Sequence, residues 1–334
     1  MVNVAIVGLG YWGPNLLRNF NANPDSNVIY AVDKSEALLE KFKLSFSNVD
    51  FVNNFDKILG DERLDAVVIA TPVWSHFDLA KAALMAGKHV LVEKPMTSTL
   101  DEANELISIA EDKGLILMVD HTFLYTGAVG KIKELISQDS LGEIKYFDST
   151  RINLGLFQAD INVLWDLAPH DISILNYIID EQPVSVQATG TSHTENGLEN
   201  IAYLTLNYSS GKIAHFNCSW SSPVKIRSIL IGGNKKMLLY NDMEPTEKVK
   251  VYDHGYEIKN SEEKNKIIAD YRMGDISIPK LDMKEALAGV AMDFVKSIQN
   301  SEMPVSNMYI GRDVVKILEA SDLSLKHQGK IVEL

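Results

Sequence analysis

In the first third of the chain, the spacing of apolar and polar positions switches repeatedly between the period of a strand and the period of a helix. Short β-branched runs, VNVAIVG (2–8) and NVIYAVD (27–33), are each followed by stretches whose apolar residues recur at helical spacing. The same rhythm continues through LDAVVIA (64–70), KHVLVE (88–93) and LILMVD (115–120). Strands that alternate with amphipathic helices form βαβ units, so residues 1–121 predict an α/β domain with a doubly wound parallel sheet.

The pattern also predicts where the helices of this domain lie. The predicted helices are Pro14–Asn21, Ser35–Lys43, His76–Ala86 and Leu100–Lys113. Gly114 directly follows the last of them and is the residue type that most often ends a helix.

After residue 121 the pattern changes to an α+β type. A helix is predicted at Gly127–Ser137, followed by alternating strands that include VSVQATGTS (184–192), IAYLTLNYS (201–209) and KIAHFNCSW (212–220). Short turns join these strands, which predicts a mostly antiparallel, open sheet. Two helices, Met283–Gln299 and Gly311–His327, close this second domain, predicted to span 122–334, and the polar stretch 242–266 predicts an exposed hairpin or loop.

Composition argues against nucleic acid and membranes as partners of this protein. A formal net charge of −13 disfavours nucleic acid, which is normally met by clustered Lys and Arg. No apolar run approaches the roughly 20 residues that span a bilayer, so we expect no membrane partner. The single cysteine, Cys218, cannot form an intrachain disulfide, and its alternating context favours a packed thiol. The chain begins directly with a strand, so we expect a cytoplasmic protein.

The segment GLGYWG follows the first strand and precedes a helix with Pro14 in its first turn. Its glycines, Gly8, Gly10 and Gly13, have the spacing that lets a tight turn hold a pyrophosphate at a helix N-terminus. Asp33 ends the second strand, 20 residues after Gly13, where a carboxylate accepts hydrogen bonds from ribose hydroxyls. We therefore expect a dinucleotide site, with Tyr11 and Trp12 among its contacts.

Asp33 also bears on the choice of dinucleotide. Its carboxylate repels a 2′-phosphate, which favours NAD over NADP. Lys34 leaves NADP open as the alternative, because a neighbouring cation could bind that phosphate if Asp33 turned aside.

Two more segments leave the carboxyl ends of strands, where ligands of doubly wound sheets bind. They are ATPVWSH (70–76) and EKP (93–95), and the expected cofactor contacts in them are Thr71, Pro72, Trp74, His76, Glu93 and Lys94. Burial and a nearby nicotinamide cation would favour neutral Lys94, whereas a carboxylate partner would oppose this.

The segment WDLAPHD (165–171) predicts a helix start that carries two side chains able to take part in proton transfer, Asp166 and His170. Pro169 suits a first helical turn, so Asp166 is expected at or just before the helix start, with His170 on the same side. Asp166 could be a helix cap and His170 a partly buried histidine. Beside a dinucleotide site, the pair could instead serve hydride transfer, which needs a base for the hydroxyl proton.

Taken together, GLGYWG, Asp33, ATPVWSH, EKP and D-x-x-x-H resemble the Gfo/Idh/MocA oxidoreductases, named for glucose–fructose oxidoreductase and inositol dehydrogenase. The resemblance extends over essentially the whole chain. It implies NAD(P) binding by the first domain, a second domain often used for dimer or tetramer contacts, and catalytic roles for Lys94, Asp166 and His170. A homodimer or homotetramer is expected on this ground.

The fuller string VLWDLAPHDISIL resembles the branch that works on nucleotide sugars, notably UDP-N-acetylglucosaminuronate 3-dehydrogenases of surface-polysaccharide pathways. HTFLY (121–125) occupies the stretch that contacts nicotinamide and substrate in relatives, which adds His121 and Tyr125 as candidates. Arg151 could bind a carboxylate or phosphate, or be a surface cation, and Asn153 lies nearby in sequence. Trp165 could pack against substrate, although a packing role at the domain junction is favoured.

The expected substrate contacts are thus Lys94, Tyr125, Arg151, Asn153, Trp165 and His170. Proton acceptor and alkoxide stabiliser could be exchanged between His170 and Lys94. Two other readings remain open: a dehydrogenase or ketoreductase acting on a free polyol or deoxysugar nucleotide, and a non-catalytic NAD sensor. No histidine spacing suggests a metal site.

Overall fold

The computed structural model describes residues 1–155, 157–260 and 267–334. The chain divides into two compact units. The first comprises Met1–Thr126 and Lys284–Lys316, and the second comprises Gly127–Met283 and Ile317–Leu334. Part of the predicted hairpin or loop over 242–266, namely residues 261–266, lies outside the described residues.

The first unit is built on a parallel sheet, as predicted. Its strands are β1 Val2–Val7, β2 Ser26–Val32, β3 Asp50–Val52, β4 Ala66–Ile69, β5 His89–Glu93 and β6 Leu117–Asp120. They lie in the order β3-β2-β1-β4-β5-β6, and every neighbouring pair is parallel. This is the doubly wound Rossmann order, in which the strand order reverses beside β1.

Helices connect these strands, and all but the short α3, which was not predicted, lie at nearly the predicted positions. They are α1 Gly13–Ala22, α2 Glu36–Lys43, α3 Asp56–Leu59, α4 His76–Met85 and α5 Leu100–Lys113. The prediction for α5 is confirmed at both ends. Thr99 and Glu102 form a reciprocal capping box at its start, and Gly114 takes a left-handed conformation with φ of 64° at its end.

The first unit also includes a helix from near the end of the chain, α8 Ala286–Asn300. Its apolar stripe, including Leu287, Val290 and Phe294, is buried in the same cluster as the apolar face of α1. The rings of Phe294 and Phe20 meet edge to face with centroids 6.1 Å apart. The domain boundary expected after residue 121 stays a prediction, and it did not anticipate that 284–316 would return to the first unit.

The second unit contains an open, mostly antiparallel sheet, again as predicted. Its strands are β7 Ile144–Leu154, β8 Ser185–Thr191, β9 Ile201–Asn207, β10 Ile213–Ser219, β11 Ser221–Gly233, β12 Met237–Asn241, β13 Val249–Asn260, β14 Ile267–Ser277 and β15 Val332–Glu333. The order is β14-β13-β12-β11-β7-β10-β9-β8-β15, and β7 pairs with β10 in parallel while the other pairs are antiparallel.

Three helices complete the described elements: α6 Gly127–Ser137, α7 Val163–Ile178 and α9 Met308–Lys326. Helix α7 packs on β7, β9 and β10. Alternate residues of these strands, such as Phe147, Leu204 and Phe216, are buried. Cys218 lies in this core at 1% exposure, and burial raises the pKa of its thiol, which confirms the expected packed cysteine.

Candidate functional site

The turn after β1 has two positions that only glycine can occupy. Gly8 has φ of +94°, and a Cβ there would lie 2.5 Å from the Ala70 carbonyl oxygen. A Cβ on Gly13 would lie 1.9 Å from the carbonyl oxygen of Gly8. Gly10 differs, because a Cβ there would meet nothing within 4 Å. The turn itself therefore requires Gly8 and Gly13, whereas Gly10 leaves space open to a ligand.

Helix α1 begins at this turn with its amide end unblocked by side chains. Its N-cap, Trp12, makes no side-chain cap hydrogen bond, and the first turn of this described helix holds no acidic residue. Pro14 occupies the first turn, where a missing N–H costs nothing. Tyr11 is 87% exposed, and its ring meets that of Trp12 edge to face. The arrangement fits a pyrophosphate group.

Asp33 joins the glycine-rich turn to the end of β2. Its Oδ2 accepts a hydrogen bond from the Leu9 amide at 2.7 Å, and its Oδ1 accepts one from the Ser35 amide at 2.8 Å. Each carboxylate oxygen keeps acceptor capacity for a ribose hydroxyl. Lys34 beside it is exposed. The half-buried carboxylate therefore stands where the sequence motif requires it.

His76 links the segments that follow β4 and β5. Its Nε2 lies 2.8 Å from the Thr71 carbonyl oxygen, and its Nδ1 lies 2.9 Å from the Pro95 carbonyl oxygen. The ring is 1% exposed, and burial lowers its pKa. Protein carbonyls thus face both ring nitrogens of this predicted cofactor contact, which places His76 between the two segments.

The other predicted contacts after β4 lie nearer the surface. Thr71 Oγ1 accepts a hydrogen bond from Ser75 Oγ at 2.8 Å, which closes the segment into a 3₁₀ turn over Val73–Ser75. Pro72 caps that turn, and the Trp74 side chain is 66% exposed.

Carboxyl groups and a histidine surround Lys94 at the ends of β5 and β6. Glu93 Oε2 accepts a hydrogen bond from the Lys94 amide at 3.1 Å, and Asp120 Oδ1 accepts one from Thr122 Oγ1 at 2.7 Å. Burial raises the pKa of Glu93 well above its usual value and that of Asp120 to about 6. Burial and the charge of Lys94 lower the pKa of His121 to about 3.

Tyr125 is placed differently from the expectation that it contacts substrate. Its hydroxyl donates to Asp293 Oδ2 at 2.6 Å and accepts from the Ser306 amide at 3.1 Å. Burial raises its pKa well above the usual value. The hydroxyl is therefore used to connect the segment after β6 with α8 and the turn that follows it.

The second unit carries Asp166 and His170 on α7, and here the predicted helix start was wrong. The helix begins at Val163, and Asn162 is its cap, with Oδ1 accepting from the amides of Leu164 and Trp165. Pro169 lies inside the helix rather than in its first turn. A proline signal was misleading here because the true cap lies seven residues earlier.

Asp166 and His170 nevertheless share one face of α7, four residues apart. Asp166 Oδ2 accepts a hydrogen bond from Trp220 Nε1 at 2.9 Å, so the indole fixes the carboxylate. Both side chains keep some exposed surface. A carboxylate and an imidazole on one partly exposed face can together orient and accept a proton.

Arg151 lies in the interior rather than at the surface or in an open pocket. It is 3% exposed, and its Nη2 donates to Asp171 Oδ1 at 2.6 Å. Trp165 is also buried, with Nε1 donating to Asp322 Oδ2 at 2.8 Å, in line with the favoured packing role. Asn153 is half-buried near the end of β7. Arg151 and Trp165 therefore have structural partners.

Sequence reasoning did not identify Asp120, Trp220 or Asp171 as part of this chemistry. Asp120 ends a strand beside the EKP segment, and that position at the carboxyl edge of the sheet could have signalled it. The residues next to Trp220 and Asp171 in sequence do not indicate which side chains these two residues contact.

The described residues show neither a metal cluster nor a membrane-spanning helix. Among the described residues, no group of three or more His, Cys, Asp or Glu side chains could hold a metal ion. Over the same part of the chain, no helix is both long and apolar enough to span a membrane.

Comparison with known families gives two matches. Residues 2–121 match the model described as "Oxidoreductase family, NAD-binding Rossmann fold", and residues 129–239 match the "GFO/IDH/MocA C-terminal domain". Together the two models cover more than half of the chain.

Individual relatives agree with these matches. The chain is 33% identical over 160 residues to a UDP-N-acetylglucosamine 3-dehydrogenase of Acidithiobacillus ferrooxidans, covering 47% of this chain and 49% of the relative. It is 28% identical over 186 residues to the NADP-dependent scyllo-inositol 2-dehydrogenase of Bacillus subtilis, covering 52% and 51%. The chain thus spans about half the length of the curated relatives it matches.

A solved structure extends the likeness in fold to nearly the whole chain. The UDP-N-acetylglucosamine 3-dehydrogenase GnnA of Acidithiobacillus ferrooxidans superposes with a TM-score of 0.80 over 97% of this chain and 98% of that one, at 22% identity.

Proposed function

Because this chain belongs to the Gfo/Idh/MocA family of oxidoreductases, with an NAD-binding Rossmann domain, we propose that it is a dehydrogenase of sugar hydroxyl groups. Its substrate in this proposal is a nucleotide sugar oxidised at C3, such as UDP-N-acetylglucosaminuronate in surface-polysaccharide synthesis. The observation that carries the proposal is the first unit's carboxyl edge, where the Gly8–Gly13 turn, Asp33 and Lys94 all follow strands of one sheet.

NAD is the proposed dinucleotide. Asp33 supports it, since the backbone amides of Leu9 and Ser35 hold the carboxylate in place, and a fixed anion there repels a 2′-phosphate. The exposed Lys34 is the residue that NADP would need.

Each catalytic residue has a separate proposed role. Bound NAD supplies the hydride acceptor. His170 takes the proton of the substrate hydroxyl, Lys94 hydrogen-bonds the same oxygen and stabilises its developing charge, and Asp166 orients and polarises them. Trp220 supports this role by holding the Asp166 carboxylate.

The experiment is a substrate comparison with the purified chain. Absorbance of reduced nicotinamide is followed after separate additions of UDP-N-acetylglucosaminuronate, UDP-N-acetylglucosamine and myo-inositol. The first two are compared because the pairing of Arg151 with Asp171 removes the arginine that the sequence offered for a uronate carboxylate. Reduction with a UDP-sugar and not with inositol is the expected result, and failure of all three with both NAD and NADP would contradict the proposal.

Substitution tests the assigned roles. Lys94→Ala and His170→Ala should each lower kcat by about 10² or more, because each removes a group that acts on the reacting oxygen, while NAD still binds. Steady-state rates and NAD titration measure both effects. The matched exchanges Lys113→Ala and His327→Ala, at exposed positions, should leave kcat unchanged. Near-normal turnover in either test variant would remove that residue from the mechanism.

A second candidate is a dehydrogenase of free polyols. The scyllo-inositol 2-dehydrogenase of Bacillus subtilis among the relatives favours it. Turnover of myo-inositol without turnover of UDP-sugars would support this alternative.

We also propose a cytoplasmic homodimer or homotetramer. The single, buried Cys218 suits a reducing compartment. The face of the second unit's sheet opposite α7 carries partly exposed apolar side chains, which supports self-association.

A further inference from the structure

Two carboxyl groups are neighbours at the carboxyl edge of the first unit's sheet. Glu93 on β5 and Asp120 on β6 are register partners in a parallel pair, so their side chains leave the same face of the sheet side by side. Asp120 is 1% exposed. Glu93 is half-buried, so two ionised carboxylates at this spacing would repel each other with little screening by water.

One carboxylate oxygen of the pair has no hydrogen-bond donor among the described residues. Glu93 Oε2 accepts from the Lys94 amide, and Asp120 Oδ1 accepts from Thr122 Oγ1. Asp120 Oδ2 is buried and has no N–H or O–H donor among the described residues. A proton on Glu93 would supply the missing donor, since a protonated carboxyl donates one hydrogen bond.

We propose that Glu93 and Asp120 share a single proton, and that the one negative charge left on the pair holds Lys94 in its ammonium form as the hydrogen-bond donor to the substrate oxygen. The second half of this inference rests on the proposed function. Glu93 and Asp120 are then positioning residues that act through Lys94.

The charged and titratable groups around the pair agree with this assignment. Lys94 adjoins both carboxyls, and its positive charge opposes the upward pKa shifts that burial causes in them. The same charge helps burial to lower the pKa values of His76 and His121. Tyr125 stays protonated because burial and the nearby carboxylates raise its pKa.

A positively charged Lys94 leaves His170 as the group that accepts the proton. If Lys94 is already an ammonium ion, it cannot take the hydroxyl proton. In the oxidation, the hydroxyl O–H bond breaks and its proton passes to His170, while the C–H bond breaks and its electron pair leaves as hydride to oxidised NAD. Lys94 keeps its proton and donates a hydrogen bond to the oxygen that becomes the carbonyl.

An infrared experiment tests the shared proton without any turnover. Difference spectra between the wild-type protein and Asp120→Asn or Glu93→Gln are recorded at pH 7 with NAD added. A protonated-carboxyl band should be present in the wild type and lost in both variants, because an amide partner donates to the remaining carboxylate. Absence of the band in the wild type, or its persistence in either variant, overturns the shared proton.

The pH dependence of kcat tests the charge at Lys94. With one shared proton, the pair carries one negative charge in the wild type and one in each single variant. The alkaline limb of the pH profile of kcat should therefore lie at the same pH in the wild type and in both single variants. The double variant Glu93→Gln/Asp120→Asn loses the charge, and its limb should move down by about one pH unit or more. Two separate carboxylates would instead move the limb in each single variant, which would overturn the inference.

These two experiments also separate this inference from the proposed function. A wild-type protein that oxidises none of the sugars contradicts the proposed function, and the infrared result still decides the shared proton. Normal turnover with a displaced limb in the single variants contradicts only the inference.

Discussion

Three donors converge on one buried carboxylate in the second unit. Asp171 accepts from Ser149 Oγ at 2.7 Å, from Arg151 Nε at 2.9 Å and from Arg151 Nη2 at 2.6 Å. The side chains of Arg151 and Asp171 are each 3% exposed. This fork joins β7 to α7 directly beside His170, so the residue that the sequence offered as a substrate contact instead fixes the helix that carries the proposed base.

We predict that Asp171→Asn destabilises the protein by about 3–5 kcal/mol, because it leaves the Arg151 charge buried without its counter-ion. Urea unfolding measures the change. The double exchange Arg151→Met/Asp171→Leu should cost less than the single one, since it removes both charges and retains volume. A double variant less stable than Asp171→Asn would contradict this account.

The Asp120 carboxyl gives a second prediction at the scale of the residue. Its pKa rises from 3.8 to about 6 on folding, chiefly through burial. The folded protein thus holds this proton more tightly than the unfolded chain, so the stabilisation is complete below pH 3.8 and is lost as the pH rises to about 6. Between these values the free energy of unfolding should fall less in Asp120→Asn than in the wild type, measured by urea unfolding at each pH. An equal fall would contradict the assignment.

At the scale of elements, the glycine-rich turn contains glycines that its own backbone requires and one that it does not require. A Cβ on Gly13 would overlap the Gly8 carbonyl oxygen, whereas a Cβ on Gly10 meets only open space. Close approach of a pyrophosphate is the remaining reason for a glycine at Gly10.

We therefore predict that Gly10→Ala lowers NAD affinity at least about tenfold, equivalent to about 1.4 kcal/mol, while the melting temperature without NAD stays within a few degrees. Calorimetric titration and thermal unfolding measure the two quantities. Gly60→Ala is the matched control, because its added Cβ also meets nothing within 4 Å and lies outside the turn. Unchanged NAD affinity in Gly10→Ala would contradict the assigned role of this position.

Helices α5 and α7 show when neighbouring residues in the sequence are enough to predict where a helix begins and ends. The end of α5 was predicted from Gly114, and the structure shows that Thr99 and Glu102 also fix its start within one turn of the helix. The start of α7 was missed, although Asn162 has an ordinary capping side chain, because Pro169 gave a competing signal. A proline marks a helix start only when its missing N–H falls among the unbonded amides of the first turn.

At the scale of the whole molecule, the second unit's sheet has one face covered by α7 and one face partly open. Alternation along the strands brings Tyr203, Ile213 and Leu230 to the open face, at 44–46% exposure. Register places Tyr146 and Leu239 on the same face. Half-exposed apolar side chains on adjacent strands favour contact with a second copy of the chain.

We predict that Leu230→Glu shifts the proposed oligomer towards the monomer, because it places a charge in the middle of this face beside Asp148. Sedimentation velocity over a range of concentrations measures the shift. Leu44→Glu, at a leucine that is 93% exposed in the first unit, is the matched control and should leave the assembly unchanged. A wild-type protein that is monomeric at all concentrations would contradict the proposal.

The sequence by itself determined the fold class, the order of strands and helices, and the dinucleotide motif. These depend on periods of two and 3.6 residues and on glycine spacings, which act over a few neighbouring positions. Only the tertiary structure decided which distant groups meet. Tyr125 and Asp293 are 168 positions apart, and Asp166 and Trp220 are 54 apart.

The same distinction explains the residues whose role changed. Arg151 and Tyr125 were candidate ligand contacts in the sequence, but each pairs with a carboxylate from another element, and the buried Trp165 donates to Asp322, in line with its favoured packing role. The chain pattern cannot reveal such partners, because a buried polar group needs a donor or acceptor in space, not in sequence. The paired carboxyls beside Lys94 likewise became visible only when β5 and β6 were placed in register.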